Sequence, residues 1–213
     1  MSEPMVLHGF WRSSASWRVR IALGLKGLEW ADRTYRLRAG EQRSAAYLDL
    51  NPQGLVPALE VDGAVLTQSL AICEYLDETH PAPALLPAAP ILRAKVRAAA
   101  QVIACDVHPL QNLKVLAKLR TCGLEEEALT SWAREIIETG LEAFAHLIAG
   151  NSGPYCFGEQ VTLADICLIP QLGNARRFGA RMDFPRILQV EAACNAIPAF
   201  ADAAPGKQPD AEV

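Results

Sequence analysis

Along residues 5–80 the apolar pattern changes period every few positions. "MVLHGF" (5–10) is a short, nearly continuous apolar run, which predicts a buried strand. "SWRVRIALGLKG" (16–27) sets Val19, Leu23 and Lys26 on one side and predicts a helix stopped at Gly27. "EWADRTYRL" (29–37) alternates Trp30, Asp32, Thr34 and Arg36 against Ala31, Arg33, Tyr35 and Leu37, the period of a strand. "QRSAAYLDLN" (42–51) predicts a short helix. "PALEVDGAVLTQS" (57–69) predicts two strands around Asp62-Gly63, a dipeptide suited to a two-residue hairpin turn. Ser69 is expected to cap "LAICEYLDETH" (70–80), a helix with Ile72, Tyr75 and Leu76 inward. The order β-α-β-α-β-β-α predicts a parallel crossover followed by an antiparallel hairpin, hence an α/β domain with a small mixed sheet.

"PAPALLPAAP" (81–90) breaks this pattern. Its four prolines cannot continue a helix and predict a stiff linker. Beyond it the period is helical. Residues 91–120 read as one long helix bent near Pro109, 125–150 as a second, and 162–179 as a third. Thr162 and Asp165 open that third helix in the spacing of a capping box. A short fourth helix is expected from Arg186, and the tail 205–213 is irregular. The expected domains are therefore 1–81 (α/β), a linker 82–90, and an all-α domain 91–213.

Composition narrows the class. Apolar residues make up 51% and charged residues 21% of the 213, a globular balance. A net charge of −4 gives no general attraction to nucleic acid or an acidic membrane. No apolar run approaches the ~20 residues that span a bilayer, and Glu3 and Pro4 stand where a signal peptide needs a basic and apolar start. Cys73, Cys105, Cys122, Cys156, Cys167 and Cys194 are scattered without metal-type spacing. Reduced thiols, a cytoplasmic protein and no bound metal are the expectation.

Three short stretches carry candidate chemistry. Val56-Pro57 stands between a loop and a strand. Trans is the common state of such a bond; a cis bond would turn the Val56 N–H and C=O toward an outside ligand, as a strand edge for an extended peptide. Gln68-Ser69 opens a helix, whose free N–H groups and positive end suit a carboxylate. Ser13, Ser14 and Ser16 precede the first helix, two more hydroxyls than one cap requires. The four His are dispersed and there is no GxSxG, so a serine nucleophile finds no base. Hydroxyls at a helix start instead suit an anion, including a thiolate carried by a ligand.

These residues resemble a known family. The thioredoxin-like first domain, the "VP" turn, the "QS" helix start and the helical second domain are similar to a cytosolic glutathione transferase. "SSxSWRVRIAL", "NPQGLVPAL", "QSLAICEYL" and "NARRF" resemble, more narrowly, the zeta class, the maleylacetoacetate isomerases, over nearly the whole chain. The resemblance implies glutathione as cofactor. Val56 and Pro57 would meet its cysteinyl backbone, and Gln68 and Ser69 its γ-glutamyl carboxylate. Gln42, His108 and Asn112 would lie toward its other end, with Ser13, Ser14 and Ser16 near the sulfur. Ser13 and Ser14 are the implied catalytic pair. The family motif has cysteine where this chain has Ala15, so a protein thiol there is not available.

The implied reaction is cis–trans isomerisation of maleylacetoacetate to fumarylacetoacetate by reversible thiolate addition, late in aromatic (tyrosine) catabolism. Its small dicarboxylate substrate calls for arginines: Arg12 beside the serines, Arg177 of "NARRF", and more weakly Arg176. For Arg12, Arg18 and Arg20 the alternative is solvation on a helix surface, and for Arg20 it is the expectation. Leu113 and Lys114 replace a pair of arginines usual in the maleylpyruvate isomerases, while "FWRS" and "CDVHP" resemble that branch. The alternatives are therefore a maleylpyruvate isomerase of gentisate catabolism, a general transferase or dehalogenase, and a non-catalytic binding or scaffold protein. A homodimer is implied by the fold, with neither nucleic acid nor membrane as partner.

Overall fold

A computed structural model describes residues 4–212. Their contacts divide into two compact units, one formed by residues up to Leu85 together with those from Asn195 onward, the other by Leu86–Cys194.

The first unit is built on a four-stranded mixed sheet in the order β2-β1-β3-β4, with β1 Met5–Gly9, β2 Trp30–Thr34, β3 Ala58–Val61 and β4 Ala64–Thr67. β1 and β2 are parallel, Met5 facing Trp30 through Gly9 facing Thr34. β1 and β3 are antiparallel, with Leu7 opposite Leu59, and β3 and β4 close a hairpin with Val61 opposite Ala64. Asp62 and Gly63 both take positive φ, 50° and 75°, as that turn demands. Helix α1 (Ser14–Leu25) makes the parallel crossover, α2 (Ala45–Leu50) leads to β3, and α3 (Ser69–Thr79) follows β4. The core is Leu7, Leu59, Val19, Leu23, Ile72 and Leu76, all fully buried.

Several ends differ from the expected ones. α1 starts two residues earlier than its apolar pattern, because Ser13 supplies the cap. It stops where expected: Gly27 takes φ 64° and Leu28 N–H returns to Leu23 O at 3.1 Å. β2 ends at Thr34, and 3-10 turns over Leu37–Ala39 and Glu41–Arg43 take the residues expected to extend it and α2. In α3 the inward residue beside Ile72 and Leu76 is Cys73; Tyr75 turns outward, its hydroxyl donating to Asp62.

The second unit is helical: α4 (Pro90–Gln101), α5 (Leu113–Thr121), α6 (Glu126–Ile148), α7 (Leu163–Phe178) and α8 (Pro185–Asn195), the last reaching one residue past the division of the units. The expected long helix over 91–120 is interrupted rather than bent. After Gln101 the chain widens into a π-helical stretch (Val102–Val107), then tightens into a 3-10 turn (His108–Gln111) before α5. Pro109 has no N–H to continue the ladder, and Asn112 restarts it, its Oδ1 accepting from Val115 N–H at 3.1 Å. Gly140 of α6 gives the widened turn its room: a Cβ there would lie 2.1 Å from Val107 Cγ2. α7 is buried on nearly every side from Leu163 to Leu172.

Helix α9 (Pro198–Asp202) and a 3-10 turn (Pro205–Lys207) return the chain to the first unit. Ala199 sits against Gly24 of α1, where an added Cβ would have only 3.1 Å.

Candidate active site

The serine loop is fixed from within. Ser13 is extended and caps α1, its Oγ accepting from Ser16 N–H at 3.2 Å. Ser16 is fully buried and turned into the fold, its Oγ accepting from Phe10 N–H at 3.4 Å. Ser14 and Ala15 open the helix and are also buried. Capping therefore consumes a lone pair of Ser13 and leaves its O–H a donor. Arg12 lays its guanidinium over the Trp11 ring, 5.0 Å from the centroid.

The Val56-Pro57 bond is cis. The loop before it is braced from below: Tyr47 Oη and Asn51 Nδ2 both donate to Leu55 O at 2.7 Å, and Asn51 Oδ1 accepts from Gln53 N–H at 3.1 Å. The Val56 N–H and C=O form no hydrogen bond among the described residues. Gly54, at φ 61°, lets the loop approach Gln42, whose carbonyl would lie 3.2 Å from an added Cβ. Gln42 donates through Nε2 to Leu37 O at 3.2 Å, while its buried Oε1 accepts from no described residue.

Gln68, not Ser69, holds the cap position of α3, at φ 68° and without a side-chain cap bond. That φ is costly for a residue with a Cβ. The Gln68 side chain instead donates to Gln53 Oε1 at 2.8 Å, tying the helix start to the Val56 loop. Ser69 is the first helical residue, buried, and its Oγ accepts from Arg18 Nη1 at 2.9 Å. Arg18 reaches it from α1, so the starts of α1 and α3 share one buried cation. The first unit thus brings Gln42, Val56, Gln68 and Ser69 into one connected set, with the Ser13 cap one turn before Arg18.

Sequence reasoning missed the residues that connect this set. Arg18 and Arg20 are not solvated surface residues: 2% and 3% of each is exposed. Arg20 donates through Nε to Ala203 O at 3.1 Å and through Nη2 to Trp11 O at 2.8 Å. Burial pushes its pKa down to about 10, against the pull of Asp32 and Asp210. Gln53 and Asp210 were also missed. Helical period alone carries no signal for them, since their partners are far along the chain.

The other candidates lie on the second unit. His108 begins the 3-10 turn and is half-buried; Asn112 caps α5. Arg176 is exposed but committed, its two terminal nitrogens each 2.6 Å from a Glu191 oxygen, a contact that raises its pKa further. Arg177 is exposed, its guanidinium 4.9 Å from the centroid of the Phe178 ring. The six cysteines are free; Cys73, Cys156, Cys167 and Cys194 are buried, Cys105 and Cys122 exposed. Among the described residues no His, Cys, Asp and Glu cluster is suited to a metal, and no helix is long and apolar enough to cross a membrane.

Residues 12–79 match the family model for the glutathione S-transferase N-terminal domain, and 94–193 that for the C-terminal domain. A maleylacetoacetate isomerase of Pseudomonas aeruginosa is 49% identical over 97% of this chain and 98% of its own. A holo structure of maleyl pyruvate isomerase, a bacterial zeta-class glutathione S-transferase, superposes with a TM-score of 0.95 at 44% identity, covering 97% of this chain and all of the other. The maleylacetoacetate isomerase of Anaeromyxobacter dehalogenans, solved with glutathione in its active site, gives 0.89 at 43% identity over 98% of both chains.

Proposed function

The chain belongs to the glutathione S-transferase family, and from that premise we propose that it is a zeta-class, glutathione-dependent cis–trans isomerase converting maleylacetoacetate to fumarylacetoacetate. One observation carries the reading: the first unit holds an unpartnered Val56 peptide, an unpartnered Gln42 Oε1 and the starts of α1 and α3 in one connected set. That set fits a short peptide with a carboxylate at one end and an anionic sulfur further along.

Glutathione, when bound, supplies a thiolate that adds to the activated cis alkene and departs after rotation about the single bond. The chain's own residues hold and stabilise. Val56 offers N–H and C=O to the cysteinyl backbone, and Gln42 Oε1 accepts an amide proton. Ser69 spends a lone pair on Arg18, so its O–H is kept for the γ-glutamyl carboxylate beside Gln68. Ser13, whose oxygen already accepts from Ser16 N–H, directs its proton outward in the same way, and Ser14 is its neighbour at the helix start. A hydrogen bond to a charged acceptor is worth about 1.5–3 kcal/mol, against about 0.3–1 for a helix end. The hydroxyls therefore contribute more than the dipole to holding sulfur ionised. His108 and Asn112 are assigned to the far end of glutathione. Arg12 and Arg177 are assigned to the substrate carboxylates, and Arg176 ranks below them because Glu191 occupies its fork.

The maleylpyruvate reaction is the second reading, favoured by the similarity to the holo maleyl pyruvate isomerase. The loss of absorbance of each cis diketo acid, with and without glutathione, tests both. Faster turnover of maleylacetoacetate is expected, and Arg177→Ala should raise its KM about tenfold with little change in glutathione affinity. Faster maleylpyruvate turnover would reverse the substrate assignment, and activity on neither would favour a scaffold. The free cysteines support a reducing, cytoplasmic setting, and the fold family supports a homodimer, which light scattering checks.

A further inference from the structure

The Trp11 peptide, one residue from Arg12 and two from Ser13, is gripped on both sides, by α1 and by the C-terminal segment. Its N–H donates to Asp210 Oδ2 at 3.0 Å, and its C=O accepts from Arg20 Nη2 at 2.8 Å. Arg20 is anchored in turn to Ala203 O at 3.1 Å. The tail that brings Asp210 is itself fastened: Gln208 Nε2 donates to Asp202 O at 2.9 Å and to Ala204 O at 3.0 Å, and Ala199 packs on Gly24. Both ends of α1 are thus tied to residues 199–210.

The capping bonds described above do not need this grip. Ser13 already caps α1, and Ser16 already holds Phe10. What the grip adds is the position of the peptide immediately before the serine loop. Donors to a thiolate must be held within a few tenths of an ångström to act at full strength. Without it the turn is held only at its ends, by Ser16 on Phe10 N–H and by Ser13 N–H on Phe10 O at 3.0 Å, and the Trp11 peptide between them would let that geometry vary.

We propose that Asp210 and Arg20 are positioning residues for the isomerase, forming a C-terminal strap that fixes the Trp11 peptide and through it the Ser13 and Ser14 hydroxyls. The proposal rests on the isomerase reading of the serine loop. Asp210 is the residue to vary, because it is only half-buried, whereas Arg20 is buried.

The test measures thiolate absorbance of enzyme-bound glutathione against pH, turnover, and affinity for S-methylglutathione, which has no thiol to ionise. Asp210→Ala should bind S-methylglutathione within about twofold of the parent. It should hold about tenfold less glutathione as thiolate below the midpoint and lose turnover by a similar factor. Asp210→Asn keeps an acceptor oxygen for the Trp11 N–H and should recover most of both losses. A thiolate profile for Asp210→Ala that overlays an active parent overturns the strap alone, as does an Asp210→Asn no better than Asp210→Ala. A parent that binds glutathione without ionising or using it overturns the isomerase reading, and the strap with it.

Discussion

Ser13 and Ser14 stand side by side but do different work for the fold. Ser13 Oγ satisfies an otherwise free helix N–H, so Ser13→Ala should cost about 1 kcal/mol of stability as well as a donor. Ser14 occupies the first helical position, outside that capping bond, and alanine is a better helix former than serine. Ser14→Ala therefore removes the second hydroxyl while leaving the cap of α1 intact. Turnover should fall about ten- to a hundredfold. Parent-like activity in both single variants would remove the hydroxyls from the mechanism. Ala15 makes this test clean, because the chain has no thiol between the two hydroxyls and Trp17 to substitute for them. The same scale shows where sequence reading stops. Three serines before an apolar helix raise the expectation of an anion seat, but nothing near Arg18 announces that it will be buried against Ser69. That contact spans fifty-one positions and is made by folding, not by local pattern.

Elements were legible wherever their period met a recognisable end. Asp62-Gly63 fixed the hairpin, Gly27 the end of α1, and Thr162 with Asp165 the start of α7. The break after Gln101 was not legible, since the apolar positions continue through it and only the room at Gly140 lets the helix widen there. The Asp165 cap shows how much one element start can hold. Its fully buried carboxylate accepts from the N–H of Cys156 and from both N–H and hydroxyl of Thr162, each at 2.8 Å. Burial nevertheless raises its pKa. A raised folded value means the folded chain holds this proton more tightly than the unfolded chain does. Stability from this group is therefore greatest below the ordinary carboxylate value of about 4, falls as pH rises through the raised value, and is flat above it. Denaturant midpoints across that range should show the slope in the parent and lose it in Asp165→Asn. Asp165→Ala, which leaves buried donors without an acceptor and also removes the titrating group, should cost about 2–3 kcal/mol at low pH and less above the raised value. An unchanged slope in Asp165→Asn would assign it to another carboxylate.

At the scale of the molecule, the candidate residues are shared unevenly between the units. Serines 13 and 14, Gln42, Val56, Gln68 and Ser69 belong to the first, as does the returning tail, whose attachment the sequence pattern did not signal; His108, Asn112 and Arg177 belong to the second. A ligand held by the native chain stabilises what it touches. At about a hundredfold excess over Kd the gain is about 2.7 kcal/mol, and amides near the contacts exchange more slowly. Hydrogen exchange with saturating glutathione should therefore protect residues 10–16, 53–57 and 68–72, whatever the reaction catalysed. Protection at 108–112 decides the assignment of His108 and Asn112: slowed exchange there keeps them among the glutathione contacts, and unchanged exchange removes them. Adding a dicarboxylate product to the glutathione complex should then protect the end of α7 around Arg177. Protection there with glutathione alone would mark Arg177 as a cofactor residue and return the substrate carboxylates to Arg12.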